Sequence, residues 1–131
     1  MVKQHAINFV PDSHIRLIKI GVKTAFFRME SKILDSMYEE FKDSKTILLI
    51  TGEGRMRAWL YLTYMDVFKW KEIKNDAEII NRGGFEDKND LKEFMKQLYG
   101  IELFGGHLDE SEKPYLYYIE FDYKPFPKLP N

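Results

Sequence analysis

Cysteine is absent from the sequence, which excludes disulfides, thiolate metal sites and cysteine nucleophiles. The three histidines, His5, His14 and His107, lack the spacing of metal ligands, so we expect neither a metal nor another cofactor. An excess of charge is also absent, because 20 Lys and Arg stand against 21 Asp and Glu, a net charge of -1. A whole-surface attraction to nucleic acid is therefore excluded, and any basic site has to be a local patch.

Long apolar runs are missing too. No stretch is long enough to span a bilayer, and the first residues lack the apolar region of a signal peptide. We therefore expect a cytoplasmic protein without a membrane partner. The length of 131 residues suits one core. We expect a single domain over residues 1–131, with an extended proline-rich tail "KPFPKLPN" from about residue 124.

Aromatic side chains are abundant, at 15% of the residues, and favour strands. The first elements can be predicted individually. The stretch 5–10 is typical of an edge strand stopped by Pro11. A helix should follow, with Asp12 or Ser13 as its N-terminal cap and Gly21 as the left-handed residue after its end. The next strand is "KTAFFRM".

Helices and strands alternate less regularly in the rest of the chain. "ESKILDSMYEEFKDS" and "EDKNDLKEFMKQLYG" have the apolar spacing of amphipathic helices, and "KEIKNDAEIINRGG" predicts a shorter one. "KTILLIT", "MRAWLYLTYMDVFKW" and "YLYYIEFDY" predict strands, and "GEGR" a tight turn between the first two of these. This mixture indicates an α+β fold with a mixed or antiparallel sheet.

Basic residues recur beside glycines and aromatic residues. Lys23 and Arg28 flank one strand, while Arg55 and Arg57 begin another and Trp59 follows them. A guanidinium group makes paired hydrogen bonds to phosphate oxygens, and an aromatic ring stacks on a base regardless of sequence. The pattern therefore predicts contacts to nucleic acid. The alternative interpretation is that these are ordinary charges at strand ends that extend into water.

The spacing of Lys23 and Arg28 adds a geometric condition. Residues five apart on a regular strand point to opposite faces, so the two side chains meet only if Lys23 lies in the turn before the strand. Gly21 favours such a turn. The backbone N–H groups of a glycine-led turn could then help Lys23 to hold an anion.

The block "GVKTAFFR" at positions 21–28 resembles the G-x-K-x-x-E-x-R signature of the ASCH domain family. The blocks "RGGFEDKNDLKEFMKQLYG" and "YLYYIEFDY" are similar to the family's late helix and closing strand, in the same order. The resemblance implies a small PUA-like β-barrel of about five to six mostly antiparallel strands with three to four flanking helices. It also implies a cleft for RNA or a nucleoside that contains Lys23 and Arg28.

The chain departs from the pattern at Phe26, where the family has a glutamate, or a threonine in the similar bacterial acetylcytidine amidohydrolases. The resemblance implies that those enzymes need this threonine, the lysine and a glutamate that falls near Gly84 here, with Glu86 two residues away. The chain therefore lacks two of the three groups, and its catalytic residues, if any, are unknown. Without a carboxylate at Phe26, the positive charge is less compensated, which favours an anionic ligand.

We therefore predict a non-catalytic RNA-binding module, with RNA as its partner. The predicted binding residues are Lys23, Thr24, Arg28, Arg55, Arg57 and Trp59, with Trp70 as a second candidate for base stacking. One alternative is a hydrolase acting on RNA or a modified nucleoside, with Glu86 or Glu53 as its base. Another is a protein-interaction module that uses the tyrosine-rich last strand and the proline-rich tail. The sequence indicates neither the preferred RNA nor the oligomeric state.

Overall fold

A computed structural model describes residues 2–52, 54, 56–99 and 115–123. Five strands and five helices lie in these ranges. In chain order they are β1 (Val2–Val10), α1 (Asp12–Lys19), β2 (Ala25–Met29), α2 (Lys32–Asp43), β3 (Lys45–Gly52), β4 (Arg57–Lys69), α3 (Trp70–Ile73), α4 (Ala77–Arg82), α5 (Lys88–Tyr99) and β5 (Tyr115–Tyr123). The predicted α+β class is confirmed. The proline-rich tail predicted from about residue 124 lies outside the described residues.

The five strands form one mixed sheet in the order β1-β3-β4-β5-β2, curved into a half-barrel. β1 and β3 are parallel, and the other three pairings are antiparallel. The prediction of five to six mostly antiparallel strands in a PUA-like arrangement is therefore confirmed. β1 and β2 are the two edges of this sheet, as the sequence predicted for the first strand.

The helices number five in the described ranges, where three to four were expected. The difference arises where one short helix was predicted after β4. The structure has α3 and then α4, because the Asp76 carboxylate accepts a hydrogen bond from the Ile79 N–H and starts a new helix there. None of the helices in the described ranges is long and apolar enough to cross a membrane.

Strand β2 is fixed between two apolar cores, one on each face of the sheet. Phe26 points into the inner core, formed with α1, α2 and the other strands. Phe27 points into the outer core, which α3, α4 and α5 complete. Burying an aromatic side chain of this size contributes about 1.5–3 kcal/mol. The two adjacent phenylalanines therefore hold this short edge strand from both sides.

The N-terminal cap of α1 differs from the prediction. Pro11 is the cap residue, and no side chain caps the helix. The Asp12 carboxylate lies instead against Gly52 and Gly54, where a Cβ at Gly52 would come within 1.9 Å of Asp12 Oδ1. The expected end of α1 is confirmed, because Gly21 has a φ of 83° and the chain turns there toward β2.

Candidate functional site

A cavity lies in the gap between the two edge strands of the half-barrel. It is surrounded by the end of β1, the inner face of α1, strand β2, the end of β3 and the middle of α5. Its lining within the described ranges is apolar apart from three basic side chains. The full set is Val10, Pro11, His14, Ile18, Lys23, Phe26, Phe27, Arg28, Ile50, Phe85 and Phe94.

Lys23 is the most deeply placed of the three basic residues, with 4% of its surface exposed. Its Nζ donates a hydrogen bond to the Gly83 carbonyl oxygen at 2.5 Å and lies 5.1 Å from the centre of the Phe85 ring. Burial, and then the charge of Arg28, lower the pKa of Lys23 from 10.5 to about 7. At neutral pH the buried amine is therefore divided between its charged and uncharged forms.

The turn after α1 brings Lys23 to the same cavity as Arg28. β2 begins at Ala25, so Lys23 precedes the strand, and the predicted turn geometry is confirmed. The backbone N–H groups of Val22 and Lys23 both donate to the Leu17 carbonyl and so complete the end of α1. The expectation that these N–H groups help to hold an anion was therefore wrong, because the helix already uses them.

Arg28 is half-buried on β2, opposite Tyr117 of β5. Its guanidinium has no hydrogen-bond or ion-pair partner in the described part of the chain. Phe26, which occupies the glutamate position of the ASCH signature, lines the same cavity and is buried. No carboxylate belongs to the described lining, so the charge of Arg28 is not compensated there.

His14 also lines the cavity, and sequence reasoning had considered it only as a metal ligand. Its ring centre lies 4.5 Å from that of Phe94 and 5.5 Å from that of Phe85. Burial, and then the charge of Lys23, lower the pKa of His14 to about 4, so the ring is neutral at pH 7. Its Nδ1 is buried without a hydrogen-bond partner. His14 and Ile18 are four residues apart and therefore lie on one face of α1. This spacing was the signal in the sequence that could have pointed to His14.

Those of the other predicted binding residues that the structure describes do not line this cavity. Thr24 is exposed, borders a shallower concavity beside Lys23, and donates its backbone N–H to the Arg82 carbonyl. Arg57 is exposed at the start of β4, and Trp59 lies on the sheet face opposite the inner core. Arg55 is outside the described residues. Thus the structure brings Lys23 and Arg28 to one cavity, and Arg57 and Trp59 are not part of its lining.

Trp70 has no exposed surface and packs in the outer core. Its ring is therefore unavailable for stacking on a base in this structure. Its position also explains the end of β4, because the strand runs to Lys69 and the buried Trp70 begins α3.

The position expected for a hydrolase glutamate does adjoin the lysine. A Cβ at Gly84 would lie 3.3 Å from Lys23 Cβ. Gly84 has a φ of 85°, a conformation that disfavours any side chain. Glu86 is exposed and does not line the cavity, and Glu53 lies outside the described residues. The described lining thus contains no carboxylate that could act as a base next to Lys23. The described residues also contain no cluster of three or more side chains able to hold a metal ion.

The tyrosine-rich strand β5 is largely internal. The residues from Leu116 to Ile119 are all buried, because the inner core covers one face of the strand and the outer core covers the other. The aromatic surface expected for a protein-interaction module is therefore mostly used in folding.

The cavity is small. The space open to the centres of water molecules is about 30 Å³. Pockets that enclose whole drug-sized ligands are about ten times larger or more.

Three solved structures are similar to this fold over nearly the whole chain. An ASCH domain from Lactobacillus crispatus has a TM-score of 0.58 and 15% identity, covering 92% of this chain and 79% of its own. A Pyrococcus furiosus protein has a TM-score of 0.56 and 11% identity, covering 96% and 100%. An Enterococcus faecalis protein has a TM-score of 0.60 and 12% identity, covering 93% and 76%.

The chain therefore has an ASCH-like fold, and the resemblance drawn from its three sequence blocks is confirmed at the level of the fold. No protein-family model matches the chain, and no curated protein matches it.

Proposed function

We propose that this protein is an RNA-binding module that holds phosphate at the cavity between β1 and β2. The observation that carries the proposal is the convergence of Lys23 and Arg28 on one cavity whose described lining contains no carboxylate. The PUA-like form of the fold adds support, since it is the form that the resemblance associated with RNA.

The two basic groups suit phosphate in different ways. The Arg28 guanidinium presents a planar fork of donors that matches two oxygens of one phosphate. Lys23 has three N–H donors when it is charged and uses one on the Gly83 carbonyl, so two remain for a ligand. At 4 Å and an effective dielectric constant near 20, each cation attracts a unit negative charge by about 4 kcal/mol. An anion also removes the repulsion between the two cations.

A binding role fits this site better than hydrolysis. General-base catalysis of amide or phosphodiester cleavage needs a group with an accessible lone pair within hydrogen-bond reach of the reacting atoms. Neutral His14 and uncharged Lys23 are the only such side chains in the described lining, and both are enclosed by aromatic residues. Cleavage of RNA during the binding experiment would favour hydrolysis instead.

Fluorescence polarisation with short single-stranded RNA and with DNA of equal length, across a salt series, tests the proposal. We expect RNA binding that weakens as salt rises, because phosphate contacts release counterions. Arg28→Gln and Lys23→Met should each weaken it by about tenfold, which corresponds to about 1.4 kcal/mol. Lys71→Gln is the matched control, because Lys71 is exposed on α3 and does not line the cavity.

Two results would overturn the proposal. The first is an absence of RNA binding at low salt. The second is an equal loss of affinity in Lys71→Gln and Arg28→Gln, which would mean that binding depends on general surface charge and not on the cavity.

A further inference from the structure

The size of the cavity limits which part of an RNA molecule can enter it. About 30 Å³ is open to the centres of water molecules, and the walls are mostly aromatic and aliphatic side chains held in the two cores. Pockets that enclose whole organic ligands are about ten times larger, so a nucleobase or a ribose ring does not fit inside. The oxygens of a single phosphate group are of the right size.

An internal phosphate of an RNA strand has a ribose on each side. Its two free oxygens are therefore flanked by groups that the cavity has no room for. A terminal phosphate has a ribose on one side only and presents three free oxygens on the other. It can enter a narrow cavity with its three free oxygens foremost, while the rest of the strand stays outside.

The charges in the cavity also favour a terminal phosphate over an internal one. A phosphomonoester carries a charge of about -1.5 to -2 at pH 7, whereas an internal phosphodiester carries a single charge. Arg28 has no partner in the described residues, and Lys23 is 4% exposed with a neutral carbonyl as its hydrogen-bond partner. A dianion would neutralise the half-buried guanidinium of Arg28 and favour the charged form of Lys23.

The N–H donors of Arg28 and Lys23 also match the three free oxygens of a terminal phosphate in number. Arg28 can bind two oxygens through its fork, and Lys23 can reach the third with its remaining N–H groups. A terminal phosphate would therefore give the Arg28 guanidinium a partner that the described residues do not supply.

We propose that the cavity binds the terminal phosphomonoester of an RNA strand and so recognises strand ends. This inference rests on the proposed RNA-binding function and names the part of the RNA that enters the site. The 5′-phosphate and the 3′-phosphate share this chemistry, and the experiment has to distinguish them.

The experiment is a competition assay against one RNA labelled at an internal base, so that the dye leaves both ends free. Unlabelled RNAs of the same sequence carry a 5′-phosphate, a 3′-phosphate or hydroxyl groups at both ends. We expect one phosphorylated RNA to compete at least tenfold better than the hydroxyl-ended RNA. Arg28→Gln and Lys23→Met should remove this difference, and Lys71→Gln should retain it.

Each outcome separates this inference from the proposed function. Equal competition by all three RNAs, with binding that still depends on Arg28, would overturn end recognition and leave RNA binding intact. A preference for phosphorylated ends that persists in Arg28→Gln and Lys23→Met would also overturn it. No binding of any RNA would overturn the proposed function itself. Arg28→Lys is a second variant that keeps the charge and removes the fork, and it should retain only part of the preference.

Discussion

The ammonium nitrogen of Lys23 lies 2.5 Å from the carbonyl oxygen of Gly83, to which it donates a hydrogen bond. This contact joins the turn before β2 to the end of α4, 60 residues further along the chain. A carbonyl is neutral and cannot balance the buried charge. The fold therefore holds Lys23 where its charged form is disfavoured, and this accounts for its lowered pKa.

The stability of the protein should depend on pH through Lys23. The pKa is about 7 in the folded protein and 10.5 ordinarily, so the unfolded chain binds more protons between these values. The contribution of Lys23 to stability is therefore lowest below pH 7 and rises toward pH 10.5. The pH-dependent part is roughly 4–5 kcal/mol.

Lys23→Met should remove this dependence. Relative to the wild type, the variant gains stability at pH 6, and this gain disappears as the pH rises. The variant also leaves the Gly83 carbonyl without its partner, and this cost is present at every pH. Urea unfolding of both proteins at pH 6, 8 and 10 measures the difference. A difference that stays constant over this range would contradict the lowered pKa of Lys23.

RNA affinity should fall as pH rises above 7. A bound phosphate favours the charged form of Lys23 and raises its pKa, so binding takes up a proton once the free protein has lost it. The other groups facing this site are Arg28, His14 and, near His14, Asp90. His14 is already neutral above pH 5 and adds no dependence in this range. Polarisation titrations from pH 6.5 to 9 should show the fall in the wild type and not in Lys23→Met.

Substitution of Gly84 should destabilise the protein through both its backbone and its neighbour. Gly84→Ala places a side chain at a φ of 85° and 3.3 Å from Lys23 Cβ, with an expected cost of about 1–2 kcal/mol for the backbone alone. Gly21→Ala is the matched control, because its φ is 83° and nothing lies within 4 Å of the added Cβ. Chemical unfolding should show a larger loss for Gly84→Ala. Equal losses would mean that Lys23 adjusts without cost.

A carboxylate at Phe26 should suppress binding by neutralising the cavity from within. Phe26→Glu and Phe26→Gln remove the same ring from the inner core and lose similar burial energy, about 3–5 kcal/mol. They differ only in the charge placed among the lining residues. We expect Phe26→Glu to bind RNA at least tenfold more weakly than Phe26→Gln, with near-ultraviolet circular dichroism as a check on folding. Equal affinities would show that the uncompensated charge of the cavity does not govern binding.

Much of the fold could be predicted from local patterns. Apolar periodicity located the long helices and strands, and Gly21 marked the end of α1 because a positive φ favours glycine. The helix start at Asp76 was missed, since a short helix with one capping carboxylate resembles the continuation of the one before it. The Pro11 cap was missed because Asp12, the expected cap, contacts the glycines of the β3–β4 turn, which are distant in sequence.

The site was predictable only in part. The spacing of Lys23 and Arg28, with Gly21 before them, was enough to suggest that the two side chains converge. His14 could not be placed there without knowing which face of α1 meets α5. The location of Trp59 depends on which face of β4 meets the inner core, and an apolar pattern on both faces does not determine this.

The position of β2 in the sheet also sets the order in which the site can form. Ala25 pairs with Glu120, so the partner that the strand carrying Arg28 has in the described sheet comes 120 − 25 = 95 residues later. At synthesis rates of about 5–20 residues per second, roughly 5–20 s pass between the two. During that time Phe26 and Phe27 have no complete core to enter. The cavity is therefore a late product of biosynthesis, because β2 stays without its partner strand until β5 has left the ribosome.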